Sequence, residues 1–103
     1  MPVEARDLFS QYKGKITETE SGISIVNTNK LIDFWGKEHR VECSVEIKKR
    51  KGEYSVWFEE KTLEILGGGG TCCQTMEDAI KTARDKLERY RFEKKSQEQT
   101  SLF

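Results

Sequence analysis

A chain of 103 residues supports one hydrophobic core and not two, because each half would bury too little surface to offset its own chain entropy. Hydrophobic and charged residues each make up 35% of the sequence, so the surface is densely charged and the core must be compact and aromatic, drawing on two Trp, three Tyr and five Phe. Eighteen basic residues balance eighteen acidic ones, which excludes bulk charge as the drive for binding nucleic acid or membrane.

Residues Val3 to Tyr12 set Ala5, Leu8, Phe9 and Tyr12 at helical spacing, with Glu4, Arg6 and Asp7 on the other side, and Gly14 ends this helix. Two short extended runs, Lys15 to Glu18 and Ile23 to Val26, flank Glu20-Ser21-Gly22 and predict a hairpin. Asn27-Thr28-Asn29 breaks the pattern, and Leu31 to Trp35 is apolar but too short to assign to strand or helical turn. From Arg40 to Lys48, Val41, Cys43, Val45 and Ile47 alternate with Glu42, Ser44, Glu46 and Lys48, which predicts a strand with one buried face. Lys49 to Glu53 makes the turn into a return strand in which Tyr54, Val56 and Phe58 alternate with Ser55, Trp57 and Glu59. A third strand is expected at Thr62 to Leu66, followed by a flexible loop at Gly67 to Gly70. Thr75 then caps the strongest helix, with Glu77 and Asp78 in its first turn and a buried stripe of Met76, Ala79, Ile80, Ala83, Leu87 and Tyr90. The sum is an α+β domain over residues 1–93, ordered α-β-β-x-β-β-β-α, with an antiparallel sheet of four to five strands and both helices on one face. Residues 94–103 are polar and read as a flexible tail.

No apolar run approaches the roughly 18 residues that span a bilayer, and the N-terminus lacks a basic region followed by an apolar one, so a cytosolic location and no membrane partner are expected. Cys43, Cys72 and Cys73 are an odd set with two members adjacent, which predicts buried, reduced thiols and no disulfide framework. Together with His39 they make four potential zinc ligands, but no pair has C-x-x-C spacing and Cys43 points into the predicted core, so no metal site is expected. His39 is also the only histidine, and neither Gly-x-Ser-x-Gly nor His-Glu-x-x-His occurs. With no nucleophile and base to pair, the chain reads as non-enzymatic and without a cofactor.

Two candidate binding regions remain inside the domain. Gly67, Gly68, Gly69, Gly70 and Thr71 lie between a strand and a helix, where backbone N–H groups can cradle an anion such as a nucleotide phosphate. This is not a Walker loop, since Thr71-Cys72 stands where Lys-Ser/Thr belongs. Lys48, Lys49, Arg50 and Lys51 at a hairpin tip, with Arg84 and Arg89 on the last helix, form the candidate nucleic-acid surface. In order of elements, Arg40 to Tyr90 resembles a double-stranded-RNA-binding domain, three antiparallel strands and then a helix. That family places a basic cluster at the start of its last helix, whereas Glu77 and Asp78 stand there in this chain.

The C-terminal Gln99-Thr100-Ser101-Leu102-Phe103 resembles the bacterial sliding-clamp-binding motif: Gln, a position often leucine, Ser or Asp, Leu, Phe. Only Thr100 departs from the preferred pattern. The resemblance implies that Gln99, Ser101, Leu102 and Phe103 bind the sliding clamp, and burying Leu102 and Phe103 would contribute about 3 to 6 kcal/mol before ordering costs. The expected protein is thus a small accessory protein of the kind phages and mobile elements encode. Its domain would bind bacterial DNA or RNA machinery in the host cytosol while its tail holds the clamp. A rival expectation is an inhibitor of a host defence system, an anti-CRISPR protein acting on Cas9 or its guide-RNA complex, with Glu18 and Glu20 competing for a basic channel.

Overall fold

The computed structural model describes residues 3–32, 34–61, 66–90 and 92–95. The elements are α1 (Val3–Ser10), β1 (Lys15–Glu18), β2 (Gly22–Ile32), β3 (Glu38–Arg50), β4 (Glu53–Lys61), β5 (Leu66–Cys73) and α2 (Met76–Arg89). All five strands join one antiparallel sheet in the order β1-β2-β3-β4-β5, so each strand pairs with its neighbour in sequence. The fold is α+β.

β3 is the spine of the sheet. Its alternation puts Val41, Cys43, Val45 and Ile47 on the face that the helices cover, where each is no more than 3% exposed. Ile23 and Ile25 of β2, Val56 of β4 and Cys73 of β5 extend that apolar layer on either side. α1 supplies Ala5, Leu8 and Phe9, and α2 supplies Ala79, Ala83 and Leu87. The two alanines let the α2 backbone approach the sheet, so Leu87 is the one large side chain on α2 that is fully buried. Thr75 starts α2 as expected: its hydroxyl accepts from the Asp78 amide at 3.1 Å, satisfying one of the open amides of the first turn. Between β3 and β4 the chain reverses through two residues, Lys51 (φ 20°) and Gly52 (φ 79°). Positive φ at both positions is the geometry that matches the twist of the flanking strands, and it favours glycine second.

Four sequence expectations need correction. The break at Asn27-Thr28-Asn29 does not occur, because these residues pair with Cys43, Glu42 and Val41 and carry β2 on to Ile32; pairing overrides weak strand propensity. The third strand of the meander is Leu66–Cys73 and not Thr62 to Leu66; residues 62–65 lie outside the described residues. The glycine run is therefore strand and not loop. Aromatic rings of β4 fill the space its missing side chains leave, Phe58 beside Gly69 and Trp57 beside Gly70. Finally, the folded part does not stop at residue 93. Phe92 is buried, the Lys13 amide donates to the Glu93 carbonyl, and the Lys95 amide donates to the Gln11 carbonyl, both at 2.8 Å. This return segment covers Tyr12, which is 1% exposed.

Candidate interaction surface

β2 and β3 are longer than their neighbours. β1 pairs only with residues 23–26 of β2, and β4 only with residues 42–50 of β3. Beyond these limits β2 and β3 pair only with each other among the described residues, forming a hairpin arm that projects past the sheet. At its tip stand Phe34 and Trp35, 93% and 85% exposed, with ring centroids 5.6 Å apart and planes at 81°. This is the edge-to-face packing that aromatic pairs prefer. Gly36 follows with φ 80°, and Lys30 and Glu38 pair across the base of the tip at 3.4 Å. The sequence left these residues unassigned. Their signal was an aromatic pair followed by glycine between two strands, a place where burial cannot be reached from within the domain.

The basic candidates do not form one surface. Lys48 and Arg50 alternate with Lys49, so the tetrad with Lys51 divides between the two faces of the sheet. Acidic neighbours sit among them: Lys48 lies 3.7 Å from Glu46, and Arg50 is directly opposite Glu53. Arg84 and Arg89 are five residues apart on α2, about 140° around the helix axis. Arg84 lines a groove between the helices with Glu4, Asp7, Gln11 and Glu77. The tip at Lys51 and the aromatic tip at Phe34 lie at opposite ends of β3, and no basic residue of the tetrad borders the exposed rings.

Gly67, Gly68, Gly69, Gly70 and Thr71 pair along β4 from Glu60 to Val56. Half of their backbone groups are engaged in that ladder, so they do not form the strand-to-helix loop that an anion cradle requires. Of the thiols, Cys43 is buried and its thiol is pushed up to about 11 by burial, with Glu60 and Glu42 adding in the same direction. Cys73 is buried with its sulfur 3.6 Å from the Thr82 hydroxyl, whereas Cys72 is exposed, which corrects the expectation of three buried thiols. Adjacent residues of a strand face opposite ways, so Cys72 and Cys73 cannot share a ligand on one side of the sheet. His39 lies in the arm, remote from both. No group of three or more metal-ligating side chains occurs among the described residues. Glu18 receives two hydrogen bonds from Arg6, at 2.9 and 2.8 Å, which hold its carboxyl below the usual range and offset its charge. Gln99, Ser101, Leu102 and Phe103 lie outside the described residues. No helix among the described residues is long and apolar enough to cross a membrane. No protein family, curated protein or solved structure matches this chain.

Proposed function

We propose that the protein is a non-enzymatic interaction protein that docks on a macromolecular partner through the β2–β3 arm. The observation that carries this reading is the Phe34–Trp35 pair, two large aromatic rings held in water at the end of a paired ribbon. Rings so placed leave most of their apolar surface in water. Burying both in a partner's apolar pocket would contribute about 4 to 6 kcal/mol before association costs. The sequence of the tail supports a second contact, with Gln99, Ser101, Leu102 and Phe103 engaging the bacterial sliding clamp. The protein would then serve as a phage or mobile-element accessory factor in the bacterial cytosol, its tail raising the local concentration of the domain at replicating DNA.

The test separates the two contacts. The full chain, a residue 1–95 protein and a Phe34→Ala/Trp35→Ala variant are titrated against sliding clamp, duplex RNA and a Cas9–guide complex, and used as bait in bacterial lysate. Removing residues 96–103 should abolish clamp binding and leave the domain's partner in place. The tip variant should do the reverse. A domain partner retained by the tip variant would refute the role of the arm, and specific binding to the Cas9–guide complex alone would replace the accessory reading with the inhibitor one.

A further inference from the structure

The two edges of the sheet are built differently. β1 is four residues long, carries Lys15 and Glu18, and has Arg6 fixed across it on Glu18. A short, charged edge resists strand addition. β5 is eight residues long, and its sequence Leu-Gly-Gly-Gly-Gly-Thr-Cys-Cys holds no charge and no proline. Nothing among the described residues pairs with its outer side, where alternate N–H and C=O groups point outward.

Trp57 marks the middle of this edge. It is paired with Gly70 and lies on the sheet face that carries no helix, 44% exposed. A Cβ on Gly70 would stand 2.7 Å from Cε3 and 3.2 Å from Cζ3 of the indole. One edge of the ring therefore lies against Gly70 while its Nε1 donates to the Glu59 carboxylate at 2.8 Å on β4 itself, and only glycine leaves it room.

We propose that β5 is a dimerisation edge, two copies pairing β5 to β5 antiparallel about a two-fold axis at Gly70 to make one ten-stranded sheet. The strand is complementary to itself in this register. Gly68 falls opposite Cys72 of the second copy and Gly69 opposite Thr71, so each side chain of the second half faces a glycine of the first. The two Trp57 residues stand three strand spacings apart, about 14 Å. Their indoles, each with one edge already against its own Gly70, face that gap from both sides. On the helical face the charges agree. Thr82 contacts Cys73 while Arg84 borders α1, so the flank of α2 toward β5 carries Asp78, Thr82 and Arg89, with the Lys86 ammonium seated over the Phe58 ring at 4.2 Å. A two-fold axis sets the acidic start of this flank alongside the basic end of the other.

Seven paired residues a side, 67–73, fall short of the 20 to 30 in a standard interface, so the dissociation constant is on the order of 10 µM. Sedimentation of the full chain from about 1 µM to 1 mM should show a monomer–dimer equilibrium of that strength. Thr71 is exposed at the rim of the helix-covered face, beyond Val56, and Thr71→Lys puts two like charges beside the axis; it should weaken the dimer by about tenfold or more. Trp57→Ala should weaken it to a similar degree, which keeps the test open if the lysine variant folds poorly. With Trp35→Phe, Trp57 becomes the only tryptophan, and its emission should move to the blue as concentration rises. A chain monomeric throughout, or a dimer that neither Thr71→Lys nor Trp57→Ala weakens, would overturn the proposal. So would Trp57 emission that shifts only when another protein supplies a strand.

Discussion

The cysteines report the register of the sheet. Cys72 and Cys73 are neighbours on β5, and slipping the β4–β5 pairing by one residue would exchange their faces. Alkylation of the native protein at pH 8 therefore tests the fold at single-residue resolution. Cys43 is 3% exposed with its thiol pushed up from 9.0 to about 11, so at pH 8 only about one molecule in a thousand carries the reactive thiolate, against about one in ten for a thiol at the starting value. That difference alone slows the reaction by about 100-fold, and burial adds the free energy of local opening. Cys73, 7% exposed beneath Thr82, is held back by its burial. Mass spectrometry over time should show one rapid adduct, which peptide mapping places on Cys72, and two more only under denaturant. Rapid labelling of Cys73 ahead of Cys72 would show that the register is wrong by one. Rapid native labelling of Cys43 would show that the central strand does not face the core.

Leu87→Ala should cost about 3 kcal/mol and lower the melting midpoint by about 10 to 20 °C, because Ala79 and Ala83 leave α2 with no other large, fully buried anchor. A loss under about 1 kcal/mol would mean that α2 is seated differently. Phe34→Ala/Trp35→Ala should change stability by less than about 0.5 kcal/mol in denaturant titration, since both rings are in water. The Cys43 thiol predicts a pH window: its folded value is raised, so stability is unaffected below pH 9 and falls as pH rises from 9 through 11, on the order of 2 kcal/mol, and Cys43→Ala should flatten that part of the curve. For the tail, calorimetry should give a micromolar clamp affinity, about −8 kcal/mol, with Leu102→Ala and Phe103→Ala each costing about 2 kcal/mol, Gln99→Ala about 1, and Thr100→Leu tightening the complex.

What sequence alone could decide was whatever local chemistry decides. The two-residue period from Val41 to Ile47 named both β3 and its buried face, since alternation has no other stable use beside a core. Thr75 with Asp78 three residues on marked the start of α2, and the stripe from Ala79 to Leu87 named the face it buries. Those features were enough for the α+β class, the order of most elements and the position of Cys43.

The remainder was settled between segments distant in the chain. Asn27 to Asn29 form strand because β3 is there to pair with them, and Gly67 to Gly70 form strand because Trp57 and Phe58 on β4 stand over the space their side chains lack. No window of sequence around either segment contains its partner. Lys48 to Arg50 look like one basic patch on paper, and the pleat divides them; Glu18 looks like a free acid, and Arg6 of another element neutralises it. Phe34 and Trp35 have the composition of a core fragment, and are exposed because β2 and β3 outrun the strands beside them. Propensity and periodicity act over a few residues, so they fix which face of a strand is apolar. Whether a given apolar or glycine residue ends in the core, on an open edge or at the tip of an arm depends on the lengths and registers of strands that meet only in three dimensions.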